Sequence, residues 1–492
     1  MADAEDSALG VDVLRTGEAG GLVIRGGLVR VVGYAATVLF AAATSVFLLR
    51  SLGVERFGVY GVVAALLGIV SSVTEAGLTQ VGTRDLPLRR PEDRQRLLST
   101  LVAVRIALTS FGVLLAALFA IAAGYERAAV AGTLLAGIGV VLMNTQVTAT
   151  LPLRVDLRVG TVTVLDVLAQ ALTCILVGLL AALGASLLPY FGVQLVVGAV
   201  LLAVTLAIVG PGLAKPALDR AEARTLIREA LPLAAAVAMN VVYLRLLVIF
   251  VSLLEDDRDT GLFATSFRVL ELLVGLPVVI LSVALPVLAV AGAEDRERFR
   301  YGFQRLTEVA LVISLLEVLL VVVLAGPAIQ LIAGDEYADA APLLRIQALS
   351  LVPVFLAQAW TLGLVSLRRQ RSVAIGNAFA LGAVVVLGLT LIPAFGTKGA
   401  AVAGVATEAL LAVCLLVSLH RREPAAVPGL GFVWRPLLAA AAGAAPPVLL
   451  DLSGWIEAPI GAAVFLVVAL LDRAIPAEVL PALLAPLKRR KP

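Results

Sequence analysis

Histidine is almost absent from the chain. The single one, His420, sits beside Arg421 and Arg422. One histidine excludes HExxH and other multi-histidine metal chemistry, and any Ser-His or Cys-His relay not centred on residue 420. Cysteine is nearly as scarce. Cys174 and Cys414 both lie inside apolar runs, where packing accounts for them better than a disulfide, and two thiols cannot build a cysteine-rich zinc site. No metal or cofactor is expected. Lysine occurs only at 215, 398, 488 and 491, so arginine carries the positive charge. No GxxxxGK[ST] stretch is present, which removes the P-loop route to ATP hydrolysis by this chain. Charge of either sign is thin, 15% of residues against about 25% in soluble chains.

In place of charge there are long apolar runs. Of the 492 residues 61% are apolar and the mean hydropathy is +1.04. Fourteen candidate spans follow, roughly 28–49, 58–80, 97–123, 128–150, 160–184, 187–210, 229–253, 260–290, 306–331, 341–366, 372–393, 399–420, 432–451 and 458–472. At a rise of about 1.5 Å per residue, a run of about 20 crosses a hydrocarbon core of roughly 30 Å. The expectation is an all-α polytopic membrane protein. The acidic, polar segment Met1–Gly20 does not read as a signal peptide, which would begin basic. Residues 1–24 are expected to be a disordered tail, and 476–492 a basic one.

Arginine and lysine distribute unevenly about these spans. With the N-terminus in the cytoplasm, 29 of 38 fall in the N-terminal arm, after even-numbered spans or in the C-terminal tail. Loops after odd-numbered spans hold five, Arg50, Arg56, Arg127, Arg258 and Lys398. That bias predicts a multi-pass plasma-membrane protein with both termini cytoplasmic. The chain also repeats. Gly58-Val59-Tyr60 matches Gly261-Leu262-Phe263 at an offset of 203, and Pro189-Tyr190-Phe191-Gly192 matches Pro393-Ala394-Phe395-Gly396 at 204. Six spans per repeat keep both halves in one orientation. The expected plan is two parallel six-helix lobes, 25–212 and 213–422, around a central cavity, with two further helices in 423–475.

Several stretches resemble the polysaccharide and oligosaccharide flippases of the multidrug/oligosaccharidyl-lipid/polysaccharide exporter superfamily. They are LGVERFGVYGVV at 52–63, EAGLTQVGTRDL at 75–86, REALPLAAAVAMNVVYLRLLVIFVS at 228–252 and GLFATSFRVLELLVGLPVVILSVALPVLA at 261–289. GDEYADAAPLLRIQALSLVPVFL at 334–356 and GTKGAAVAGVATE at 396–408 belong with them. The resemblance covers most of residues 25–420. It implies a two-lobed bundle whose cavity opens alternately to each side and moves a polyprenyl-pyrophosphate-linked oligosaccharide from the inner to the outer leaflet. Glycan-assembly proteins are a further implied partner class.

Ionisable residues inside spans are the candidate functional groups, because each costs about 2.5–3.5 kcal/mol to insert. Arg245, near the middle of span seven, is suited to a pyrophosphate; the bland reading pairs it with Glu317 or Glu408. Arg268 and Glu271, three apart on span eight, share a face and can neutralise each other. Arg25 and Arg30 at the inner end of span one receive a headgroup or anchor at anionic lipid, and Arg56 meets a headgroup on release. Asp166, Glu317 and Glu408 are candidates for Na⁺ or H⁺ coupling, or for salt bridges to the buried arginines. Asn240, with Asn144, Gln146, Gln347, Gln358 and Asn377, is a candidate sugar contact or an interhelical hydrogen bonder. Pro277 and Pro286 suggest a kink in span eight.

Three other readings compete. A membrane glycosyltransferase needs an aqueous catalytic loop, and the one candidate acidic pair, Asp257-Arg258-Asp259, sits in a short turn. A cation-coupled multidrug exporter would share the lobes, but buried arginines repel cationic drugs. A scaffold in a glycan-export complex would tolerate loss of Arg245. The partners expected are the lipid-linked oligosaccharide, the bilayer and a coupling cation; no nucleic acid is expected.

Overall fold

A computed structural model describes residues 17–475, except 157, 211–218, 283 and 451. The expected basic tail at 476–492 and the first sixteen residues lie outside the described part. Every extended element among the described residues is an α-helix. They run α1 Gly17–Asp85, α2 Pro91–Ala122, α3 Arg127–Ala149, α4 Leu151–Val155, α5 Val159–Ala182, α6 Leu187–Val209, α7 Arg220–Leu254 and α8 Asp257–Ser282. There follow α9 Leu285–Glu294, α10 Arg296–Ile332, α11 Ala340–Ala348, α12 Leu351–Ser366, α13 Gln370–Arg422, α14 Trp434–Leu449 and α15 Gly454–Leu471. Nine helical segments among the described residues are long and apolar enough to cross a membrane. The chain is an all-α, multi-helical membrane protein. The predicted spans outside those nine fall on α7 and α8, which carry Arg245 and Arg268, and on the short α14.

Two helices each contain a pair of predicted spans, and glycine makes the turn in both. Gly53 in α1 has φ 74° and Gly396 in α13 has φ 61°. These left-handed conformations burden residues with a Cβ and leave glycine unstrained. Two predicted spans, 260–290 and 341–366, are broken, span 128–150 ends with α3, and a proline follows each of these three helix ends. Pro152 follows the end of α3, Pro286 the end of α8 at Ser282, and Pro353 the end of α11. A proline ring collides with the carbonyl four residues earlier, which stops the preceding helix. Span eight was expected to kink at Pro277 and Pro286. Its helix continues through Pro277 and ends before Pro286, which opens α9.

The chain gathers into two compact units. The first holds residues up to 51 with 70–235, the second 52–69 with 236–492. These differ from the lobe limits read from hydropathy, because α1 and α7 each contribute to both units. In the first unit α3 packs along α6, where Gly139 admits the Gln194 backbone and Gly132 admits the Phe191 ring. A second apolar layer joins Leu78, Val81, Leu97, Leu101 and Leu151 to Ala223 and Leu226 of α7. In the second unit α10 packs on α14 and α15 through Leu311, Leu315, Leu319, Ala439 and Phe465.

Repeat-related residues meet within the second unit. A Cβ on Gly58 would lie 2.5 Å from the Asp257 carbonyl oxygen and 2.9 Å from the Gly261 nitrogen. One on Gly61 would lie 2.8 Å from the Ala264 Cβ. Both contacts join residues separated by the repeat offset, so the α1 arm and α8 cross at their smallest side chains.

Candidate functional site

Three helical stretches of the second unit assemble a charged cluster. Arg245 on α7 donates from Nη2 to Glu271 Oε1 on α8 at 2.6 Å. Arg268, one turn before Glu271, donates from Nη1 to the other carboxylate oxygen at 3.0 Å. One carboxylate thus joins two guanidiniums, and the cluster keeps a net charge of +1. Its side chains remain partly open, 25% for Arg245, 35% for Arg268 and 32% for Glu271. The Arg245 side chain lies flat against Gly68 of α1. A Cβ there would sit 2.6 Å from Nε and 2.8 Å from Cζ.

The arrangement settles the two pairings left open for Arg245. Its partner is Glu271, not Glu317 or Glu408. The Arg268–Glu271 pair forms as the three-residue spacing predicts. Glu408 on α13 instead accepts from the Tyr243 hydroxyl at 2.9 Å, and both residues are buried. Glu317 on α10 is also buried, and neither of its oxygens has a hydrogen-bond partner. It lines an apolar groove of about 410 Å³ with Leu273, Leu320, Leu324 and Leu344. Asp166 is exposed on α5 and Arg56 is exposed on α1, near Gly53. The side chains of Arg25, Arg30 and Asn240 lie outside the described part.

The first unit holds a charge that sequence reasoning passed over. Arg105 on α2 is 0% exposed. It donates to the Thr74 carbonyl at 2.7 Å, to Thr79 Oγ1 at 2.7 Å and to Thr148 Oγ1 at 3.0 Å. Asn144 extends the network to Thr74 at 3.1 Å and accepts from Ser71 at 2.9 Å. Gln146 donates to Thr205 at 3.1 Å. Asn144 and Gln146 therefore bond between helices rather than standing free. The available signal was an arginine amid threonines on neighbouring spans, which is too common a pattern to single out.

Charge outside the spans gathers at the helix ends. Glu255, in the turn between α7 and α8, is pushed above the usual carboxylate range by burial first, then by Asp259 and Asp256. Asp219, before α7, is held below it, first by the Glu222 N–H and then by Arg96.

Known proteins share both the sequence and the fold. A family model described as polysaccharide biosynthesis protein matches residues 47–342. A Shigella flexneri protein named for O-antigen transport is 31% identical over 99 residues, 20% of this chain and 23% of that protein. The match therefore spans less than a quarter of that relative. Among solved structures, the lipid II flippase MurJ in an inward closed conformation superposes with TM-score 0.78 at 12% identity, covering 91% of this chain and 99% of that one. An inward-facing multidrug-resistance MATE transporter gives 0.62 at 16%, covering 79% and 95%. A Pyrococcus furiosus transporter of the MOP superfamily gives 0.56 at 16%, covering 82% and 96%. At these identities the structural likeness concerns the fold alone. The family match covers more than half of the chain, so this protein belongs to the polysaccharide biosynthesis protein family, as a multi-pass membrane protein whose fold is like that of the MurJ and MATE structures.

Proposed function

We propose that this protein is a flippase that carries a polyprenyl-pyrophosphate-linked oligosaccharide from the inner to the outer leaflet by alternating access. Its working parts are two parallel six-helix lobes, 25–212 and 213–422, around a central cavity. Both termini face the cytoplasm, and α14 and α15 lie outside the paired lobes. The observation that carries the reading is the Arg245–Glu271–Arg268 cluster, a net positive charge at the level of the membrane-spanning helices. Such a charge needs a reason to be there. A pyrophosphate supplies one, because guanidinium binds phosphate oxygens bidentately and more strongly in a poorly solvated site. Glu271 holds both arginines in place until the headgroup takes over their donors, and then returns to them on release. The same charge disfavours a cationic drug as substrate.

Glu408 and Glu317 are the proposed coupling groups, with exposed Asp166 as a third. A buried carboxyl without a cationic partner is suited to bind H⁺ or Na⁺ and to release it when the site opens. Arg56, and at the other ends Arg25 and Arg30, are proposed to meet the headgroup as it leaves and enters.

Purified protein in liposomes with a fluorescent polyprenyl-pyrophosphate oligosaccharide tests the reading. Accessibility to an external quencher is followed for the wild type and for Arg245→Ala. Flipping that falls at least tenfold in the variant is expected. Wild-type flipping unchanged in the variant removes Arg245 from the site. No flipping at all, with saturable efflux of a small organic cation, replaces the flippase with an exporter.

A further inference from the structure

At the Arg-rich end of the first unit, the end of α1 and the turn into α2 face the first turns of α7. Arg84 pairs with Glu229 and, at 2.6 Å, with Asp85. Arg89 pairs with Glu222 at 3.1 Å, and Arg96 pairs with Asp219. Asp219 divides its carboxylate between two tasks. Oδ1 accepts from the Ala221 and Glu222 N–H groups and caps α7, while Oδ2 accepts from Arg96. The guanidiniums are open to water, with side-chain exposures of 58%, 45% and 68% for Arg84, Arg89 and Arg96.

Two further layers lie along the same contact. Leu78, Leu86 and Leu97 pack with Ala223 and Leu226. Gly77 rests on the Ala230 carbonyl so closely that a Cβ would overlap it. The opposite end of the same α1 arm closes differently. There Gly58 and Gly61 lie against Gly261 and Ala264 in close van der Waals contact. One helical arm therefore packs glycine on glycine at one end and adds three ion pairs to an apolar layer at the other.

A ligand site does not account for the ionic end. The open cleft there, about 370 Å³, is lined by Asp85, Asp93, Asp219, Glu222 and Glu229 against Arg89 and Arg96. That balance disfavours an anion, and four of the five acids already hold arginines. Among the described residues no group of acids, histidines or cysteines is placed to hold a metal ion.

We propose that Arg84–Glu229, Arg89–Glu222 and Arg96–Asp219 form a reversible latch that closes the cytoplasmic mouth by holding the inner ends of spans two and seven together. The orientation and the opening at that end rest on the function proposed above. Water-exposed ion pairs are individually weak and screened by salt. Three of them between Asp219 and Glu229, a rise of roughly 15 Å, set the register of closure over the apolar layer of Leu78, Leu97 and Leu226, which parts when the latch opens. Among the described residues, the glycine contact at the other end has no such ion pairs between the two crossing helices. Salt therefore loosens the inner contact more than the glycine contact at the other end.

The test uses the full chain with Cys174→Ser and Cys414→Ser, and a reporter Ala230→Cys. A membrane-impermeant maleimide is applied from the cytoplasmic side of inside-out vesicles. In the latched state position 230 is shielded. Arg84→Gln, Arg89→Gln and Arg96→Gln together are expected to raise the labelling rate about tenfold. The swap Arg89→Glu with Glu222→Arg is expected to label near the unmodified rate, whereas Glu222→Arg alone labels faster. Raised salt speeds labelling of the unmodified chain and leaves the triple variant unchanged. In a second arm, Arg84→Cys is crosslinked to Glu229→Cys in the same cysteine-free background, which should stop flipping until the bridge is reduced. Labelling indifferent to the triple variant, or flipping by the crosslinked chain at the uncrosslinked rate, overturns the latch. Labelling needs no substrate. A responsive latch in a chain that flips nothing would therefore refute the flippase and keep the latch.

Discussion

Gly68→Ala separates the geometry of the charged cluster from its charge. The substitution adds one methyl group and leaves Arg245, Arg268 and Glu271 intact. The new Cβ would lie 2.6–2.9 Å from Nε, Cζ and Cδ of Arg245. Comfortable contacts between such atoms begin near about 3.5 Å, so the guanidinium must retreat by roughly 1 Å. Arg245 is long and its side chain is 25% exposed, so it can retreat without disturbing the helices, and the melting temperature should hardly move. The retreat does stretch the 2.6 Å bond to Glu271. A charged hydrogen bond contributes about 1.5–3 kcal/mol. Partial exposure reduces that to about 1–2 kcal/mol here. A loss of this size at the transition state slows transport about 5- to 30-fold. The assay is the initial flipping rate in liposomes, with a thermal melt of the same preparation. A Gly68→Ala protein that melts and flips like the wild type would refute the assignment of Arg245 to the transport step. A protein that melts much lower would assign Gly68 to helix packing instead.

Three other substitutions test separate parts of the account. Arg105→Met should destabilise the first unit by about 3 kcal/mol, because it leaves the Thr74 carbonyl and two threonine hydroxyls short of a donor in a dry interior. A melt checks it, and Arg105→Lys should recover part of the loss. Glu255→Gln should raise the melting temperature at pH 7. A carboxyl whose folded pKa lies above its unfolded value contributes stability at low pH and loses it as pH rises through the folded value. The gain should therefore vanish in melts near pH 4. Glu317→Gln should fold normally, since the carboxyl oxygens it alters have no partner to lose. Downhill flipping should persist while dependence on an imposed ion gradient disappears; gradient dependence that survives assigns coupling to Glu408.

Hydropathy made the spans legible because a run of about 20 apolar residues has few other uses. The repeat was legible through Gly58 and Gly261, and the close contact between them gives those glycines a steric reason. Arg268 and Glu271 were legible because positions three apart on one helix share a face whatever surrounds them. Arg245 was different. Its partner depends on how α7 and α8 are rotated about their axes, and spacing along the chain carries no record of that. Glu317 and Glu408 were equally reasonable on sequence grounds. Arg105 was hidden for a related reason. Its partners are threonines and a backbone carbonyl, and no complementary charge marks them. The helix ends at 149, 282 and 348 each have a proline three to five residues on. A hydropathy window averages over such a residue and misses it. The Arg84, Arg89 and Arg96 pairs were read as part of a topological bias, because positive charge at a membrane face needs no partner to be explained.

The most direct test compares two carriers in one liposome preparation of the wild type. One lipid-linked oligosaccharide bears the pyrophosphate, and the other has an uncharged linkage and the same sugar and prenyl chain. If Arg245 and Arg268 recognise the headgroup, the pyrophosphate carrier flips and the neutral one does not, and inorganic pyrophosphate inside the donor face competes. Equal flipping of both carriers would contradict the account, because it would mean that the charged cluster plays no part in choosing the substrate.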